Sequence, residues 1–173
     1  MSPLLRSVHL AALAVYLVST VWLLLVLPGI ARLTDPGEQR RRLVRQLRPY
    51  NVLSVGAVGV LIISGASALT DLKALYGPAY VRLLWPLAGK LSLTFLLTMV
   101  ATYLSFGLAH RIVRAEQGKL PVDPGHLRGM LGRLRGGAWL ALAVALWTSW
   151  SGYRLAAVAT GLDPDPGTHV ASP

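Results

Sequence analysis

The chain has 173 residues, no cysteine and a formal net charge of +10, from 17 lysines and arginines against 7 acidic residues. Hydrophobic residues make up 54% and charged residues only 14%, where a soluble domain carries about 25% charge. This balance excludes a disulfide scaffold, a thiolate metal site, cysteine catalysis and an ordinary soluble enzyme, and the length fits one domain.

In chain order, Ser7 to Ala31 carries no Asp, Glu, Lys or Arg, and neither does Pro49 to Thr70. Leu83 to His110 has one interruption, Lys90, and Gly136 to Tyr153 continues past Arg154 through LAAVATGL. Each stretch reaches or approaches the ~20 residues that a helix needs to cross ~30 Å of hydrocarbon. The runs are rich in Leu and Ala and too long for barrel strands, and helices satisfy their own backbone polar groups in lipid. The expectation is an all-α membrane protein forming a single integral domain. Four transmembrane helices, over about 5–30, 50–70, 83–110 and 136–160, form an antiparallel up-down bundle, with a flexible tail at 161–173. The first run exceeds the roughly 7–15 apolar residues of a signal-peptide core and is expected to be a retained span.

The arginines set the orientation. Arg32, Arg40, Arg41, Arg42, Arg45 and Arg48 lie between spans 1 and 2. Arg111, Arg114, Lys119, Arg128, Arg133 and Arg135 lie between spans 3 and 4, against Arg6, Lys73, Arg82 and Arg154 on the other side. The positive-inside rule then places both termini outside, in the periplasm of a bacterial inner membrane, and both basic segments in the cytoplasm. Residues 40–48 (RRRLVRQLR) are expected as a short amphipathic helix on anionic lipid. Arg40, Arg41, Arg42, Arg45 and Arg48, with Trp147 and Trp150, are thus expected to face lipid or a partner. The basic segments lack interleaved aromatics, so nucleic acid is not an expected partner.

Ionisable residues inside spans are functional candidates by default. His9 stands near the outer end of span 1, and Lys90 one to two turns into span 3, which runs the same way. Both belong at similar depth in the outer leaflet. His9, Tyr16 and Thr20 share one helix face, and Lys90, Thr94, Thr98, Thr102 and Ser105 follow near i+4 steps. Ser64, Ser67 and Asp71 lie at the outer end of span 2, and Trp150, Ser151, Tyr153 and Arg154 at that of span 4. These faces would enclose a polar pocket around His9 and Lys90, with Tyr16 as a further candidate. A neutral imidazole ligates haem iron or copper, making His9 the candidate metal ligand. Lys90 either ligates iron when deprotonated or holds a propionate or other anion. The plainer alternatives are a His9 hydrogen bond to a neighbouring serine and a Lys90 that pairs with Asp71 or snorkels. His110 is expected at the cytoplasmic mouth, and the tryptophans mostly in interfacial belts.

Three segments carry a family resemblance: RSVHLAALAVYLVSTVWLLLVLPGIARL in span 1, RPYNVLSVGAVGVLIISGASAL in span 2 and LYGPAYVRLLWPLAGKLSLTFLL leading into span 3. With its early His and later Lys, the chain resembles the copper-resistance D-like membrane domain and, more distantly, the HemJ-type protoporphyrinogen oxidases. Tyr16 stands where the copper-resistance D-like domains typically carry a tryptophan. The HemJ likeness implies His9 and Lys90 as haem-site residues. The three methionines, Met1, Met99 and Met130, form no soft-metal cluster of the kind a copper carrier uses.

Two functions remain in view. One is a non-catalytic accessory subunit of a larger respiratory or photosynthetic membrane complex, packing against other subunits, lipid or pigment. The other is a haem b- or copper-binding membrane protein with its site at His9 and Lys90. Acid pairs, nucleophile motifs and phosphate loops are missing, which argues against an independent enzyme. A transporter is disfavoured because the spans hold no carboxylate and show no inverted repeat.

Overall fold

The computed structural model describes residues 3–77, 81, 83–116 and 124–160. Its elements are α1 (Pro3–Ala31), α2 (Pro36–Tyr76), α3 (Leu84–Thr102), a π-helical segment (Tyr103–Ala109), α4 (His110–Glu116) and α5 (Pro124–Thr160). No strand occurs among the described residues, and the tail 161–173 lies outside them. Three helices are long and apolar enough to cross a membrane: Pro3–Ala31, Pro36–Leu75 and the continuous rod Leu84–Arg114. The expected fourth span falls on α5, which at about 1.5 Å per residue is some 55 Å long. Its apolar stretch is diluted by Gly136, Gly137 and the WTSWSGY run at 147–153, which sets it apart from the other three.

The basic segments are not loops. Asp35 caps α2, its Oδ1 accepting from the Gly37 N–H at 2.9 Å and its Oδ2 from the Glu38 N–H at 3.1 Å, and Pro36 takes the first helical position, where a missing N–H costs nothing. These two donors hold the Asp35 carboxyl below the usual carboxylate range. From there α2 runs on without a break through Pro49. The expected separate surface helix at 40–48 is therefore a coaxial extension of α2, because Leu43, Val44 and Leu47 bury a stripe in the core while Arg41, Arg42, Arg45 and Arg48 stay outside. In the second basic segment Arg111 and Arg114 lie in α4 and Arg128, Arg133 and Arg135 in α5, while Lys119 lies outside the described residues. At the other end α2 stops at Gly77, whose φ of 46° is a left-handed value that glycine adopts freely.

Side-chain contacts fix the helix pairings. α1 and α2 are antiparallel, joined by His9 with Ser64 (2.7 Å), Trp22 Nε1–H donating to Gln46 Oε1 (3.2 Å) and Gln39 Nε2 donating to the Ile30 carbonyl (3.2 Å). α5 is antiparallel to the third rod, with Leu104 seated on Gly137 and Lys90 on Gly152. α5 also packs on α1, and α2 meets the third rod chiefly through the π-helical segment and α4. The bundle thus has a histidine end, with His9, Ser64, Lys90 and Gly152, and an arginine end to which both basic segments belong.

Core composition changes along α5. Towards the arginine end it buries Leu127, Met130, Leu131 and Leu134; beyond Gly137 it buries Ala138, Ala141, Val144 and Ala145. The π-helical segment buries Leu104, Ser105, Leu108 and Ala109, and the Tyr103 ring lies over Gly107, where a Cβ would meet it at 3.1 Å. Wider π turns of this kind collect at functional sites.

Candidate functional site at the histidine end of the bundle

Two aromatic levels frame the site. Exposed Trp85, and Trp150 tilted against Tyr153 with ring centroids 5.9 Å apart, mark the histidine end. Exposed Trp22, Tyr103 and Trp139 mark a second level. At 1.5 Å per residue, Tyr103 lies about 27 Å from Trp85 along the third rod, close to a hydrocarbon thickness. Trp22, 13 residues beyond His9, and Tyr103, 13 beyond Lys90, both fall about 20 Å from the site. The basic residues of the α2 extension, α4 and the start of α5 lie at or past this second level.

His9 and Lys90, expected to share a depth, do so. Both are half-buried, and the Lys90 ammonium lies within electrostatic range of the His9 ring. His9 Nδ1 sits 2.7 Å from Ser64 Oγ, whose proton already goes to the Val60 carbonyl at 2.6 Å. A hydroxyl has one proton to give, so Ser64 accepts from His9. In the neutral ring this pairing assigns the N–H to Nδ1 and leaves the Nε2 lone pair free. Lys90 extends over Gly152, where a Cβ would stand 3.3 Å from Nζ; the missing side chain on α5 is what lets the amine lie there. Lys90 makes no ion pair among the described residues. Asp71, seven residues beyond Ser64 on α2, is about 10 Å too far along the helix to serve it.

The other expected site residues lie elsewhere. Tyr16 is fully buried two turns further in, and its hydroxyl is grouped with Thr20 and Tyr50 rather than with His9. On the third rod Thr94 and Thr98 are half-buried, each donating to the carbonyl four residues back at 2.9 Å, while Thr102 is exposed and Ser105 buried. The expected hydroxyl line therefore does not face inward as one stripe. His110 is exposed about 30 Å from Lys90. Trp147 and Trp150 point outward, as do Arg41, Arg42, Arg45 and Arg48, whereas Arg40 is half-buried. Arg42 pairs with Glu38 at 2.7 Å and Arg41 approaches Asp35 at 3.9 Å.

This donor set discriminates between ligands. Among the described residues no three His, Cys, Asp or Glu side chains converge as a metal cage requires. One imidazole with its far nitrogen free, beside an amine, suits a macrocycle that brings its own equatorial ligands and carries acid groups. Gly152 is a participant that the amino-acid pattern did not single out: a glycine between Ser151 and Tyr153 gives no local signal. Comparison with protein-family models, with characterised proteins and with solved structures returns no match for this chain.

Proposed function

We propose that the chain is an inner-membrane protein that crosses the bilayer four times, with α5 as the fourth crossing and both termini on the periplasmic side, and that it binds haem b at the histidine end. The observation that carries this reading is the Ser64-oriented His9, since ligating histidines characteristically donate their other ring N–H to a hydrogen-bond acceptor. His9 Nε2 is the iron ligand and Lys90 the partner of a propionate, and a bound haem would supply a one-electron centre. Copper is the weaker alternative, because its soft or multi-imidazole ligands are missing among the described residues. The concentration of arginine at one end supports the orientation, and the α3 and α1 surfaces that cover one side of α5 reduce its need for a wholly apolar composition.

The test is reconstitution. Protein purified in mild detergent and supplied with haem should show a stoichiometric Soret band that His9→Ala abolishes and Lys90→Met weakens. A colourless wild-type protein under those conditions refutes haem binding.

A second reading, an accessory subunit of a respiratory or photosynthetic complex, draws on α2. Gly56 and Gly59 have nothing within 4 Å of where a Cβ would stand, and exposed Val52, Val55 and Ile63 accompany them. Small residues of this kind allow close helix approach in lipid. Extraction from the native membrane should then give a large complex with co-migrating chains, and a monomer-sized particle rules it out.

A further inference from the structure

The α1–α2 pairing that joins His9 to Ser64 and Trp22 to Gln46 brings Tyr16 level with Ser54 and Thr20 level with Tyr50. Tyr16, Thr20 and Ser54 are 0% exposed and Tyr50 2%, so four hydroxyl groups from two helices meet in the centre of the bundle. The Thr20 proton is committed to the Tyr16 carbonyl at 2.8 Å, and Ser19 donates to the same oxygen at 2.9 Å. The Tyr16 hydroxyl, the Tyr50 hydroxyl and Ser54 Oγ have no hydrogen-bond partner among the described residues. Yet Thr20 is the side-chain hydroxyl that approaches both tyrosines, and Ser54 approaches Tyr50. These groups approach one another without forming a direct hydrogen bond of good geometry. Buried polar groups in folded proteins are almost always paired, with protein or with ordered water, and a polar contact too long for a direct bond is the ordinary sign of an intervening molecule.

We propose that this cluster is a binding site for an internal water molecule that links α1 to α2 through Tyr16, Thr20, Tyr50 and Ser54. One water can accept from the two tyrosine hydroxyls and donate to Thr20 Oγ1 and Ser54 Oγ, four bonds, within the range for buried water; the Ser54 proton is not used by it. A neutral set of hydroxyls with no carboxylate suits water rather than a divalent cation. The apolar step between this site and the histidine end, made by buried Ala12, Ala57 and Leu61, separates it from the His9–Lys90 site. The proposal therefore stands whether or not haem binds there. A shared water sets the register of α1 on α2 in the half of the bundle nearer the Trp22 level, where van der Waals contacts alone would tolerate sliding.

The test combines infrared difference spectroscopy with unfolding equilibria. In the unmodified protein, exchange into H2(18)O should shift a sharp O–H band of a hydrogen-bonded internal water, and Tyr50→Phe should remove it. Tyr16→Phe and Tyr50→Phe should each lower the folding equilibrium constant about 5- to 30-fold, and the double variant should cost clearly less than the product of the two, because both release the same molecule. Absence of an isotope-sensitive band in the unmodified protein overturns the proposal even if a variant fails to fold. So do Phe variants that are neutral or more stable, the signature of dry, unpaired hydroxyls, or a stability that rises specifically with Na+ or K+, which would put a cation in the site.

Discussion

Gly136 and Gly137 are neighbours in sequence with opposite expectations. A methyl group at Gly137 would lie 2.6 Å from Leu104 Cδ2 and 3.4 Å from its Cγ, whereas one at Gly136 meets nothing within 4 Å. Leu104 is fully buried, so it has no solvent-facing rotamer to retreat into, and α5 must move off the third rod. Overpacking of this kind costs about 1–3 kcal/mol. Removing a helical glycine returns roughly 0.5–1 kcal/mol at both positions. Gly136→Ala should therefore be neutral to stabilising and Gly137→Ala destabilising. Their difference cancels the helix-propensity gain and isolates the packing cost of about 1–3 kcal/mol. Reversible unfolding by sodium dodecyl sulfate in mixed micelles, followed by circular dichroism, measures both. Two variants that agree within about 0.5 kcal/mol, the spread of unremarkable surface changes, would refute the close approach of α5 to Leu104. The antiparallel seating of Lys90 over Gly152 would fall with it, since the same pairing sets both contacts.

Two further outcomes follow from the arginine end. The Asp35 carboxyl is held low by the Gly37 and Glu38 amides, so the stability it lends to the first turn of α2 is present above the ordinary carboxylate range and is lost as pH falls through its depressed folded value. The protection of the Gly37 and Glu38 amides, relative to their intrinsic exchange rates, should fall in acid in the wild-type protein, while Asp35→Asn should remove that pH dependence of protection. Because the chain has no cysteine, single cysteines at Thr34 and Gln117 should both react with a membrane-impermeant maleimide only from the cytoplasmic face; labelling of the two from opposite faces would overturn the four-crossing arrangement.

Helical class and the three helices long and apolar enough to cross a membrane were legible because charge is excluded from hydrocarbon so severely that long runs with at most one charge announce themselves. The shared depth of His9 and Lys90 was legible for a related reason: helix rise is constant, so a position counted from the end of a span converts directly to depth. What could not be read was anything that depends on two helices at once. Residues 40–48 carry apolar positions, Leu43, Val44 and Leu47, that suit a lipid surface and a protein core equally well, and only the surfaces that α2 meets, α1, α4 and the π-helical segment, decide in favour of the core. Gly152 matters because of Lys90, which lies far away in sequence. The inward hydroxyl line drawn from Lys90 to Ser105 failed because i+4 steps drift: each advances about 40° beyond a full turn, so Thr102 stands about 120° round from Lys90 and is exposed, whereas Ser105, about 60° from Lys90, is buried.

The change in core chemistry along α5 has a physical cause in the proposed membrane placement. Leu127, Leu131 and Leu134 lie on the arginine side of the Trp22–Tyr103–Trp139 level, among headgroups and water, where covering a leucine removes apolar surface from water at about 25 cal/mol per Å². Past Gly137 the surroundings are hydrocarbon, and transferring a leucine from lipid to protein gains little of that kind. Helices there are held by close van der Waals contact and by the few polar groups that find partners, which favours Ala138, Ala141 and Ala145 and admits the His9–Ser64 pairing. The same four-rod bundle is thus stabilised by two mechanisms at its two ends. The apolar driving force is concentrated at the arginine end, and the histidine end, being held more weakly, is where a ligand that bridges α1 and the third rod would contribute most to the stability of the fold.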